Sequence, residues 1–283
     1  MAQSPTDQCI VLPFRAENGH PFDGTGLALH FLVGNVLALH TGLKEMWFGW
    51  RVKKIFPEQA ALQRYCRDAT DKLDLLQVSQ SQQVRLWIYG KYSDPTVGLH
   101  FFDGQAPDVR RTPVELPISI EDGWIGFRTL LLEWLESMGR PMPKAQVQAA
   151  LWPETLGRQG LDLVGRALEG FYIHSAYGGD GLLDASPFEK AVAEAPESFM
   201  AHDLYGWALF RNKDYTAAKR AFLTALRINP AGNGAMSGLM WCGVYGKDLE
   251  EAMFWSGRKA DVCRQDVRAA REAGRRRYEK ANK

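Results

Sequence analysis

The segments FEKAVAEAP at 188–196 and FLTALRINP at 222–230 share one template. Phe188 recurs as Phe222, Ala191 as Ala225 and Pro196 as Pro230, each 34 positions on. Self-similarity at such a period marks stacked helix–turn–helix units, because one unit alone cannot bury its apolar face. The residue types have packing reasons. Gly206 and Ala218 are small enough for two helices to approach closely, and Phe222 fills the space between neighbouring units. Pro230 ends a helix because its ring and missing N–H stop continuation. Asn212-Lys213-Asp214 is a polar, turn-prone link between two helices.

Working outward, the preceding unit, about 165–198, keeps Phe188, Ala191 and Pro196 but has Tyr172 at the small position. Its helices are separated by Gly178-Gly179-Asp180-Gly181. The following unit, about 233–266, repeats Lys213-Asp214 as Lys247-Asp248 and Ala218 as Ala252. It lacks a closing proline, so its second helix is expected to run through Val262 toward Ala273. Residues 258–283 carry ten Lys/Arg against four acids, a net of +6, within a chain whose total is +1. The rest of the chain therefore stands at −5. The tail reads either as a solvated capping helix or as a contact for an acidic partner, anionic lipid or nucleic acid.

The 199–232 unit, with Gly206, Tyr215, Ala218, Phe222, Ala225 and Pro230, resembles a tetratricopeptide repeat. It departs at the first-helix tryptophan position, which holds His202. The resemblance implies about three such repeats over 165–266, followed by a basic helix or tail over 267–283. It also implies a surface that takes a protein or peptide.

Upstream, Ile10–Phe14 reads as a buried strand and Leu27–Leu39 as an amphipathic helix. Met46–Trp50 reads as a strand and Pro57–Thr70 as a helix. Val84–Tyr92, Val97–Phe102 and Val109–Leu116 read as strands, and Asp122–Met138 as a helix. The order β-α-β-α-β-β-β-α over 9–138, with VLPF early and WIYGKY…LHFFDG later, resembles the N-terminal α/β domain of the TolB family. Related domains precede tetratricopeptide repeats in some bacterial proteins. The expected fold is thus an α+β or α/β domain over 9–138, a packed junction over 139–164 and an all-α array.

Balanced charge excludes a generally basic nucleic-acid binder. Cys9, Cys66, Cys242 and Cys263 form no metal or disulfide spacing. The start of the chain shows no secretory pattern, and Leu27–Leu39 is too short and interrupted to span a membrane, so the expected location is cytoplasmic. Asp23-Gly24-Thr25-Gly26 sits where a phosphate loop would, yet Leu29 replaces the third glycine, and a helix cap explains the same residues. Arg51-Val52-Lys53-Lys54 reads as a solvated strand end or an anion contact. The histidines have no ligand spacing, and no serine lies in a nucleophile elbow.

These readings assign no catalytic residue, metal or cofactor. They favour a non-enzymatic adaptor whose partner contacts are His202, Tyr205, Arg211, Asn212, Met236 and Trp241, on or beside first helices. His174 and His202 are placed to line one groove. The competing reading is a small-ligand sensor or enzyme, with its site in the loop 15–26 (Arg15, His20, Asp23, Gly24) or at the interdomain junction.

Overall fold

A computed structural model of the chain describes residues 8–17, 24–40, 44–45, 74–82, 84–118, 124–139, 154–177, 182–263 and 265–283. The expected strand at 46–50, the helix at 57–70, the basic strip 51–54, His20, Asp23 and most of the junction, 140–153, lie outside the described residues. Contacts divide the chain into two compact units. Met1–Val147 with Leu161–Gly179 forms the sheet unit, and Gln148–Gly160 with Asp180–Lys283 the array unit.

The sheet unit holds a mixed sheet. Its strands are β1 (Gln8–Val11), β2 (Arg15–Ala16), β3 (Lys44–Glu45), β4 (Leu86–Ser93), β5 (Thr96–Asp103) and β6 (Val114–Pro117). The order is β3-β1-β4-β5-β6, with β2 also pairing β4. β1 is parallel to β3 and β4, β2 is parallel to β4, and β4-β5-β6 is an antiparallel meander. The expected first strand is divided. Leu12 N–H still donates to the Ile88 carbonyl, but Pro13 has no N–H, and pairing resumes at Arg15. The strand expected from Val109 begins only at Val114. Pro113 precedes it, Val109 is exposed, and the Thr112 carbonyl is taken by the Trp134 indole at 2.9 Å.

Helices α1 (Gly24–His40), α2 (Leu75–Gln82) and α3 (Ile125–Ser137) surround this sheet, and α4 (Arg158–Tyr177) begins in the array unit and continues in this one. The expected amphipathic α1 is instead buried on nearly every side from Gly26 to Leu37, Asn35 being the partly exposed position. A helix apolar all round belongs in an interior. Its start lies backbone to backbone against α4, because a Cβ on Gly24 would stand 2.7 Å from the Gly165 carbonyl carbon. On the face that carries Phe101, α3 packs through Trp134, edge-on to that ring. Trp87, Trp124, Phe14 and Phe127 are fully buried in the core. A two-point ion pair from Arg85 to Asp103, at 2.8 and 2.7 Å, ties the start of β4 to the end of β5.

In the array unit, α5 (Ser186–Glu194) precedes α6 (Phe199–Arg211) and α7 (Tyr215–Ile228). α8 (Asn233–Tyr245) and α9 (Leu249–Val262) follow, and α10 (Val267–Ala281) ends the chain. The pair α6–α7 and the pair α8–α9 have identical bounds shifted by 34 residues. Their details also recur at that spacing. Asp214 and Asp248 each cap the second helix, accepting from Ala217 N–H and Glu251 N–H at 2.9 Å. Lys213 and Lys247 each take the left-handed conformation, with φ 65° and 62°. Phe222 lies between the pairs. A Cβ on Gly206 would stand 2.6 Å from its ring, and one on Gly238 would overlap it.

The expected run of one helix toward Ala273 does not occur. α9 stops at Val262, and Asp266 caps a separate α10 by accepting from Ala269 N–H at 2.9 Å. α10 folds back on α9, with Gly274 against Ser256 and Ala252. Asn282 Nδ2 donates to the Val244 carbonyl at 2.9 Å. No helix among the described residues is long and apolar enough to cross a membrane.

Candidate functional site

Among the contact residues expected on the array, three are held inside it. His202 is 9% exposed, and its Nε2 donates to the Pro196 carbonyl at 2.9 Å. Met236 is buried. Asn212 grips the segment before α5, where its Oδ1 accepts from Leu183 N–H at 2.7 Å and its Nδ2 donates to the Leu183 carbonyl at 2.8 Å. These bonds explain an asparagine at a helix end by structure rather than by recognition. Tyr205 and Trp241 are half-buried and Arg211 is exposed, so these three reach the surface. The side chain of His174 is outside the described set.

A connected row of rings crosses the same helices. Trp207 meets Phe210, and Phe210 meets both Tyr215 and Tyr245. Tyr245 in turn stacks on Tyr215 and on Trp241, with centroids 5.7 and 5.9 Å apart. Tyr245 is 48% exposed, which leaves apolar ring area in water at the open end of the row. Burial, together with the nearby Glu189 and Asp214, raises the Tyr205 pKa, so its phenol stays a neutral donor. Beneath the surface lie two buried carboxyls. Glu154 accepts from Ser198 Oγ at 2.6 Å and from Leu156 and Met200 N–H, although burial still raises its pKa. Burial lifts Asp203 to about 7, with Lys259 opposing the shift.

The sheet unit carries a second candidate, a cavity of about 550 Å³ over the far half of β4 and β5. Strand register builds it. Arg15 pairs with Lys91, Lys91 with Gly98, and Gly98 with Glu115, forming one row across β2, β4, β5 and β6. The neighbouring row on the same face is Tyr89 opposite His100, with stacked rings 5.2 Å apart at 19°. Leu75, the first residue of α2, lines another side. Of the residues expected in the 15–26 loop, Arg15 lines this cavity, Gly24 is against Gly165, and His20 and Asp23 are not described.

No protein-family model matches the chain, and no curated protein matches it. The sites therefore rest on their own geometry. Among the described residues, no group of three or more His, Cys, Asp or Glu side chains is placed to hold a metal ion. The Cys242 thiol is pushed up to about 12 by burial, which keeps it protonated and unreactive at neutral pH.

Sequence reasoning missed Phe210, Tyr245, Tyr89, Lys91, Gly98, His100 and Glu115 as site residues. Alternation along β4 and β5 puts Tyr89, Lys91, Gly98 and His100 on one face, and that signal is legible. Their pairing with Arg15 and Glu115 is not, because it depends on a register between segments far apart in sequence.

Proposed function

We propose that the chain is a cytoplasmic adaptor of the tetratricopeptide type, preceded by a TolB-like α/β domain, and that its array binds a peptide or protein. What supports the reading is the recurrence of helix bounds, aspartate caps and left-handed lysines at 34 residues through α6–α9. Stacked helix pairs of this kind present an extended surface, and recognition at such surfaces concentrates on aromatic and arginine anchors. Tyr205, Arg211, Trp241 and Tyr245 supply those residue types on α6 and α8. His202, Asn212 and Met236 support the helices from within.

The test is affinity capture from native cells with the full chain and with a Tyr205→Ala, Arg211→Ala, Trp241→Ala, Tyr245→Ala variant. The variant should lose specifically captured proteins while keeping its helical signal and melting temperature. An unchanged captured set with an intact fold refutes the assignment.

A further inference from the structure

We propose that the cavity on the open face of the sheet binds a small molecule built from a flat ring with an amine donor and one anionic group, of nucleoside-monophosphate size. The cavity of about 550 Å³ lies within the size range of small-molecule sites. Its chemistry is sorted by strand. The cations Arg15 and Lys91 stand side by side in register, at the end where β1 and β2 run parallel to β4. Adjacent cations of this kind hold a phosphate or carboxylate through charge-assisted hydrogen bonds. Glu115 lies two strands further, roughly 10 Å from Lys91 at the ordinary strand spacing. It supplies an acceptor for a donor at the opposite end of the ligand.

Between them is Gly98, where the sheet has no side chain. A glycine inside a strand weakens it and often marks close approach of a ligand or another backbone. Here packing does not require it, since a Cβ at 98 would find its nearest neighbour, the Lys91 carbonyl oxygen, at an ordinary 3.6 Å. The notch is thus dispensable for the fold and free for a ring. Beside it the stacked Tyr89 and His100 form the aromatic wall against which a flat ring is held. Glu17 and Glu115 in the same lining repel a second anionic group, which selects a monophosphate over a polyphosphate. None of this uses the Asp23–Gly26 loop, so the site is independent of a phosphate-loop fingerprint and of the adaptor reading.

Isothermal titration calorimetry of the full chain with AMP, adenosine, inorganic phosphate and ATP tests the proposal. AMP should bind one to one and at least about tenfold tighter than adenosine or phosphate, the loss expected when one charge-assisted contact is missing. ATP should bind no tighter than AMP. Gly98→Val fills the notch with a side chain favoured in strands and should weaken AMP about tenfold or more at an unchanged melting temperature. Lys91→Gln should bring AMP to the affinity of adenosine. No saturable AMP binding overturns the proposal. So does AMP binding that both variants leave intact, or ATP binding tenfold tighter than AMP.

Discussion

The fit of Phe222 between two glycines makes a quantitative prediction. Phe222 is fully buried among Phe199, Ala218, Ala225, Ala235 and Leu239, with Trp207 edge-on at 5.4 Å. Phe222→Ala should cost about 3–5 kcal/mol, because Gly206 and Gly238 have no side chains that can fill the void. Gly238→Ala alone gains about 1 kcal/mol of helix propensity. It also drives a methyl group into the ring, and overpacking of that kind costs roughly 1–3 kcal/mol. In the double variant the methyl enters the vacated ring space while the propensity gain remains. The double variant should therefore be more stable than Phe222→Ala by about 1 kcal/mol, with a coupling near 2 kcal/mol toward rescue. Urea denaturation followed by far-ultraviolet circular dichroism, with hydrogen exchange of segment 199–245 to isolate the array, reads all four corners of the cycle. Costs that add to within about 0.5 kcal/mol would refute the wedged arrangement.

Three further predictions concern other features. Asn212→Ala removes both bonds to Leu183 and should destabilise by about 1–3 kcal/mol, with amide exchange accelerating first at 182–185; protection unchanged there contradicts the clamp. Lys213→Gly and Lys247→Gly each relieve a left-handed lysine and should raise stability by up to about 1 kcal/mol, and a loss in either thermal melt would show that the lysine side chain matters more than its backbone. The two units should respond to acid in opposite directions. Burial depresses His30 to about 3, so stability present above 6.5 is lost from the sheet unit as pH falls toward 3. Burial raises Asp203 to about 7, so stability present below 3.8 is lost from the array as pH rises through 7, and Glu154 acts in the same sense. Segment-resolved hydrogen exchange between pH 7.5 and 4.5 should show the sheet weakening and the array strengthening, with Asp203→Asn flattening the array's profile. Parallel trends in the two units would contradict this.

The array was the more legible half, for a physical reason. Its spacing is set by close approaches at Gly206, Ala218 and Phe222, which only small or large residues can make, so packing leaves a visible period. The aspartates at 214 and 248 were visible in the same register, although their role as caps became plain only with their bonds to Ala217 and Glu251. The break before α10 was readable too, since Asp266 stands where a cap would, but the missing proline suggested continuity. Side-chain fate was harder. His202 and Asn212 have the composition of recognition residues, and their hydrogen bonds run to Pro196 and Leu183, partners that no local pattern reveals. α2, rich in Gln and Ser, gives almost no apolar period. The row from Arg15 to Glu115 needed a sheet register that joins residues up to 100 positions apart.

The way α10 closes the array has a consequence for assembly. A stack of like units has no intrinsic last member, and the bare flank of its final pair could receive the first pair of another molecule. Such head-to-tail contact does not close on itself and grows into filaments. α10 occupies that flank with Gly274 and Tyr278 and turns Arg268, Arg275, Arg276 and Lys280 outward. It acts as a chain terminator in the polymer chemist's sense, a final residue block that cannot propagate, whose like charges also repel the same end of a second copy.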